Sequence, residues 1–163
     1  MSYQASNNLK IAFDIEHTQF GEIDSVGNPM SLINGCPTAG LGGTNLANCL
    51  GGRTGAGFGW QDMTSYKLGA KRKIHDDLPW RAGFSYGEQP ISTEDAVFNI
   101  LAPGVIKYHF TAGVTIGRDS GDKFSITAMF APEKKVVGGN LFDPIQSIDL
   151  KMHQFEIEFS YRF

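Results

Sequence analysis

Gln154-Phe155-Glu156-Ile157-Glu158-Phe159-Ser160-Tyr161-Arg162-Phe163 alternates polar and apolar side chains without a break. Successive side chains of a β-strand point to opposite faces, so a strict period of two predicts a strand with one apolar and one polar surface. Phe155, Ile157, Phe159, Tyr161 and Phe163 form the apolar surface, and Gln154, Glu156, Glu158, Ser160 and Arg162 the polar one. Two environments accept such a strand. In a soluble sheet the apolar side is buried; in a membrane β-barrel it meets lipid while the polar side lines a wet lumen.

The same period recurs in five segments upstream. Leu9, Ile11, Phe13 and Ile15 oppose Lys10, Ala12, Asp14 and Glu16. From about Asp62 to Ile74, Thr64, Tyr66, Leu68, Ala70 and Ile74 oppose Ser65, Lys67, Gly69, Lys71 and Lys73, with Arg72 on the apolar side. Trp80, Ala82, Phe84 and Tyr86 oppose Arg81, Gly83 and Ser85. Tyr108, Phe110, Ala112, Val114 and Ile116 oppose His109, Thr111, Gly113 and Thr115. Phe124, Ile126, Ala128 and Phe130 oppose Ser125, Thr127 and Met129. The composition agrees with β architecture: 20 Gly in 163 residues, with 12 Phe, 5 Tyr and 2 Trp. That length bounds the chain to one domain.

The connections separate the two environments better than the strands do. Short turns, His75-Asp76-Asp77 and Gly117 to Lys123, alternate with long links over roughly 17 to 61, 87 to 104 and 131 to 151. Long structureless loops are uncommon in compact soluble domains, whereas short turns at one end and long loops at the other are usual in outer-membrane barrels. No apolar run approaches the ~20 residues of a membrane helix, which excludes a helical membrane protein. The start, Met1 to Asn8, lacks the basic and apolar parts of a secretory signal, so either the protein stays inside or the native start is missing. The expected fold is all-β, with about six antiparallel transmembrane barrel strands. Phe163, closing an aromatic strand, is the kind of terminus that barrels present to their assembly machinery; otherwise it ends an edge strand that needs covering.

Site chemistry is sparse. A net charge of −3 argues against a nucleic-acid partner. Cys36 and Cys49 sit in the longest link and are expected to pair as a disulfide, since two thiols without nearby His cannot fill a zinc shell. The glycines between Gly40 and Gly59 superficially resemble a phosphate loop but lack its Gly-Lys-Ser/Thr ending. His17, His75, His109 and His153 fall on separate segments without ligand spacing, so no metal or cofactor is expected. A hidden hydrolase would need a Ser and a His brought together in space, and no catalytic residue is assigned. The polar faces carry Lys67, Lys71, Lys73, Arg81, His109 and Arg162 against Asp14, Glu16, Glu156 and Glu158. These charges either pair with one another or offer the basic ones, Lys67, Arg81 and His109 among them, to an anionic head group such as a carboxylate.

Leu78-Pro79-Trp80-Arg81-Ala82-Gly83-Phe84-Ser85-Tyr86-Gly87, Phe98-Asn99-Ile100-Leu101-Ala102-Pro103-Gly104-Val105 and His109-Phe110-Thr111-Ala112-Gly113 resemble the C-terminal region of the FadL-type outer-membrane transporters. Met129-Phe130-Ala131-Pro132-Glu133 and Met152-His153-Gln154 resemble that family's last hairpin, and Asn8 to Asp14 an earlier strand. The resemblance spans most of the chain apart from the cysteine-bearing link. It implies that residues 1–163 form the C-terminal part of a barrel of about fourteen strands, with hatch, earlier strands and signal peptide absent. It implies residence in the bacterial outer membrane, contact with its lipid, and passive uptake of long-chain fatty acids or aromatic hydrocarbons. Of the family's basic pair for the fatty-acid carboxylate, one position would fall near Asp24, where no cation stands. Phe98, Ile100, Leu101 and Val105, an apolar stretch in a link expected to face water, are the candidate ligand contacts. Two alternatives stay open: a self-contained eight-strand barrel closed by short strands near Phe98 or Val136, and a secreted lipocalin-like binder of hydrophobic ligands.

Overall fold

The computed structural model describes residues 1–52, 54–75, 78–118 and 121–163. Arg53, Asp76, Asp77, Asp119 and Ser120, which fall in the glycine-rich link and in the two expected short turns, lie outside the described residues. Seven strands form one sheet in chain order, each antiparallel to the next: β1 (Ser2–Ser6), β2 (Leu9–Thr18), β3 (Met63–Lys73), β4 (Pro79–Gly87), β5 (Tyr108–Gly117), β6 (Lys123–Gly139) and β7 (Ser147–Arg162). The expectation of about six strands is corrected by β1, which turns at Asn7-Asn8 and pairs Tyr3 with Ile11. One aromatic residue in five is too little alternation to announce a strand.

Pairing aligns the apolar residues into rows across the sheet. Phe13, Leu68, Phe84, Phe110, Phe130 and Phe155 form one row. Toward the turns follows a row of small residues, Ala70, Ala82, Ala112 and Ala128, flanked by Ile11 and Ile157. Next comes Leu9, Arg72, Trp80, Val114, Ile126 and Phe159. Toward the long links, Ile15, Tyr66, Tyr86 and Tyr108 make a row in which neighbouring tyrosine rings lie 6.3 Å and 5.2 Å apart. This apolar face is uncovered: Phe13 is 41% exposed, Phe110 48%, Phe130 50% and Phe155 64%.

The buried core lies elsewhere, among the long links. Val136 and Leu150 of β6 and β7 pack with Ile91, Ala96 and Val105, and Trp60, Ile148 and Met152 lean on them. A second cluster, Ile33, Cys36 and Ala56, gathers Leu32, Cys49, Phe98 and Leu141. The links are therefore folded rather than structureless. Residues 19–62 contain the short helix α1 (Asp24–Gly27) and several single turns, and Cys36 and Cys49 form a disulfide. A loop of that length held by a disulfide gains on the order of 3 kcal/mol from the loss of unfolded-state entropy.

The third link expected, 131 to 151, is mostly strand. β6 and β7 continue as a hairpin to Gly139 and Ser147, closed by residues 140–146. A bulge between Ala131 and Lys134 sets one extra residue into β6 and shifts the register. On β7 the side that carries Glu156 and Glu158 then carries Met152, Leu150 and Ile148, which face the core. The opposite side changes from Phe155 to Lys151 and Asp149, with Lys135–Asp149 paired at 2.6 Å and Lys151–Glu133 at 3.2 Å. Each face of the hairpin thus inverts its polarity at one level. Close approach fixes the packing: a Cβ on Gly138 would stand 2.1 Å from the Thr93 carbonyl oxygen.

Candidate functional site

The polar face holds a depression of about 420 Å³ across β2 to β5. Its floor is the row Ala12, Gly69, Gly83, whose small side chains leave the space. A Cβ on Gly83 would come within 2.5 Å of the Thr111 hydroxyl oxygen, so a larger residue there would displace the Thr111 side chain. The rim is the adjacent row, where Asp14 lies opposite Lys67, Lys67 opposite Ser85, and Ser85 opposite His109.

Register therefore gathers two of the three expected basic residues, Lys67 and His109, on one rim. Lys67 is held by Glu16, with Nζ 2.5 Å from Oε2. Both side chains are about half exposed, so the pair contributes little stability and serves to orient the ammonium. His109 Nδ1 lies 3.4 Å from Ser85 Oγ, a long contact, and no partner holds the other ring nitrogen among the described residues. A Ser and a His do meet here, without the carboxylate that would orient the imidazole. Arg81 stands two rows from this rim toward the turns, beyond Gly69 and Gly83, and donates from Nη1 to Thr115 Oγ1 at 3.0 Å. No group of three or more His, Cys, Asp or Glu that could hold a metal occurs among the described residues.

The apolar candidates lie away from this depression, in the folded links. Ile100 and Leu101 are exposed, Leu101 at 81%. Phe98 begins a single helical turn (Phe98–Ile100) and packs against the disulfide cluster. Val105 is fully buried in the core with Val136 and Leu150, so the exposure on which its candidacy rested is corrected. Val136 lies within β6, and neither it nor Phe98 belongs to an additional strand.

A buried polar network, not anticipated from sequence, ties the links together. Asp95 accepts from the Met30 backbone N–H at 2.7 Å and from Ser92 Oγ at 2.6 Å. Asn99, fully buried, donates to the carbonyls of Phe58 and Asp95, each at 2.8 Å, and accepts from the Trp60 indole. Its only sequence signal is a pair of polar residues, Asp95 and Asn99, four apart inside an apolar stretch. Beside it, hydrogen bonds from its own backbone N–H, then from the Thr93 and Ser92 hydroxyls, hold the Glu94 carboxyl below the usual glutamate range.

Comparison with protein-family models, curated proteins and solved structures finds no match to this chain.

Proposed function

We propose that the sheet is part of an outer-membrane β-barrel of FadL type that takes up hydrophobic molecules passively, with the folded links as the capture surface. The observation that carries this reading is an uncovered apolar face bounded by aromatic rows, in a chain whose core gathers among the links and the far ends of β6 and β7. Phe155 to Phe163 rises about 27 Å along β7 at ~3.4 Å per residue. At the usual barrel tilt that is about 21 Å of height, close to the ~25 Å apolar band of outer-membrane barrels. Tyr66, Tyr86 and Tyr108 edge the band on the link side; Trp80 and Tyr161 lie toward the other edge. Tyrosine and tryptophan favour the two membrane interfaces, where the ring is apolar and its polar atom is wet. Arg72, on the apolar face beside Trp80, reaches the interface with its long stem.

The lipocalin alternative needs an apolar interior, and the depression of this sheet lies on the polar face. Among the described residues β1 and β7 each have one edge without a strand partner, and hydrocarbon does not tolerate unpaired backbone groups, so the sheet functions with further strands. Ile100 and Leu101, with Leu46, Leu50 and Ile145, are exposed apolar side chains of the links that can meet a hydrophobic molecule arriving from water.

Tryptophan quenching tests the membrane placement. With Trp60→Phe, the remaining Trp80 is expected to lose most of its emission in vesicles of brominated lipid, and an unquenched Trp80 in a lipid-independent monomer would sink the proposal. Uptake itself is measured as transfer of a fluorescent twelve-carbon fatty acid into vesicles carrying the chain together with the strands that close its sheet, where a rate equal to that of empty vesicles counts against transport.

A further inference from the structure

We infer that Ser85 and His109 act as nucleophile and general base in the hydrolysis of carboxylic esters held in the depression of the polar face, with the Lys67 ammonium facing the oxygen that gains charge. The inference goes beyond the proposed function and requires only that this face is wet.

Ser85 is the centre of Gly83-Phe84-Ser85-Tyr86-Gly87, the Gly-x-Ser-x-Gly spacing of hydrolase nucleophiles. In those enzymes the motif makes a sharp turn from strand to helix, whereas here it is extended within β4. Its glycines act through the strand period instead. Residues two apart share a face, so Gly83 and Gly87 flank Ser85 on the polar face and set no side chain on either side of its hydroxyl along the strand. Across the sheet, Lys67 of β3 and His109 of β5 stand directly opposite Ser85. Such partners are about 5 Å apart at Cβ. The hydroxyl therefore has a base on one side, a cation on the other, and free approach along its own strand.

His109 Nδ1 lies 3.4 Å from Ser85 Oγ, and Oγ has no other hydrogen-bond partner among the described residues. A formed nucleophile–base bond spans about 2.6–3.2 Å, and such contacts are looser before substrate arrives. Glu16 holds Lys67 Nζ at 2.5 Å and so restrains the ammonium on this rim. All three side chains line the same depression of about 420 Å³. That volume falls within the ~300–1,000 Å³ of small-molecule pockets. Its floor of Ala12, Gly69 and Gly83 carries no charge, which suits the acyl part of an ester.

The reaction closes without an outside oxidant or metal. Ser85 Oγ forms a bond to the ester carbonyl carbon while its proton passes to His109 Nδ1, and the carbonyl π pair moves onto the oxygen that Lys67 faces. Collapse of this intermediate breaks the bond to the alcohol oxygen, which leaves with the proton from His109. Water then attacks the acyl-serine, again giving a proton to Nδ1. The acid departs as that proton returns to Ser85 Oγ, so ester and water become acid and alcohol. No carboxylate orients the imidazole among the described residues, and turnover is slow for that reason: losing that group alone costs a full triad about 10⁴-fold.

The test uses the chain together with the strands that close its sheet, in alkyl-glucoside micelles, with p-nitrophenyl butyrate and a fluorophosphonate as probes. Native protein is expected to hydrolyse the butyrate ester about 100-fold faster than micelles alone, the lower end of what a positioned base supplies. Ser85→Ala and His109→Gln are each expected to return the rate to that of micelles alone, with the strand circular dichroism unchanged. Lys67→Gln should lower kcat about tenfold at unchanged KM, and Lys67→Arg should keep the native kcat. The fluorophosphonate should attach to Ser85, as located by mass spectrometry; this result needs only the native chain and stands even if a variant fails to fold. Hydrolysis equal to that of micelles alone, a native rate in Ser85→Ala, or a label on any residue but Ser85 overturns the inference. A native rate in Lys67→Gln overturns the part assigned to Lys67.

Discussion

The Trp60 indole N–H donates to the side-chain oxygen of Asn99, and through this bond the link before β3 is fastened to the link before β5. Asn99 also donates both amide hydrogens to carbonyls, so one fully buried side chain satisfies three polar groups. Asn99→Ala would leave all three without this partner, one of them buried and two part-buried, at an expected cost on the order of 3 kcal/mol. Hydrogen exchange should show the loss at residues 58–60 and 95–99 while the strand amides stay protected.

Gly138→Ala forces a methyl group against the Thr93 carbonyl. Overpacking of this kind costs about 1–3 kcal/mol. The expected result is faster proteolysis in residues 88–107 with unchanged circular dichroism from the sheet.

Reduction of Cys36–Cys49 removes the clamp on the cluster formed by Ile33, Ala56 and Phe98. Stability of the links should fall by about 3 kcal/mol. Melting followed with and without reductant checks this, and a Cys36→Ser/Cys49→Ser variant should match the reduced protein.

Ala112 and Thr111 are neighbours on β5 that face opposite sides of the sheet. If the apolar face meets lipid, Ala112→Lys costs about 2–4 kcal/mol and Thr111→Lys little. Folding titrations into lipid vesicles measure the difference; equal costs for both variants would contradict the lipid-facing assignment.

Glu94 should titrate below the ordinary glutamate value of 4.5, because hydrogen bonds in the folded link favour its charged form. Its folded-state value is depressed, so its contribution is present above the unfolded value and disappears as pH falls through the folded one. Carbon-detected titration of the Glu94 carboxyl checks the direction, and Glu94→Gln should abolish the associated pH dependence of the link.

Six strands were legible because their residues alternate with a period of two, apolar on one face and polar on the other. The register that brings Lys67, Ser85 and His109 together is not written in any one strand, since it depends on where each turn closes. The hairpin beyond Ala131 was hidden by Pro132-Glu133-Lys134-Lys135, where a bulge breaks the period and the core side changes face. Val105 was misjudged as exposed because burial in the folded links follows contacts distant in sequence, Val136 and Leu150 among them, and leaves no local pattern.

Because every neighbour in the sheet is antiparallel, β1 and β7 run in the same direction. Bending the sheet until those edges meet would create a parallel seam, and so would joining two copies around an axis along the strands. An entirely antiparallel cylinder therefore takes an odd number of further strands between β7 and β1. Parity thus constrains whatever closes this sheet, whether another stretch of polypeptide or another molecule, before anything is known of its sequence.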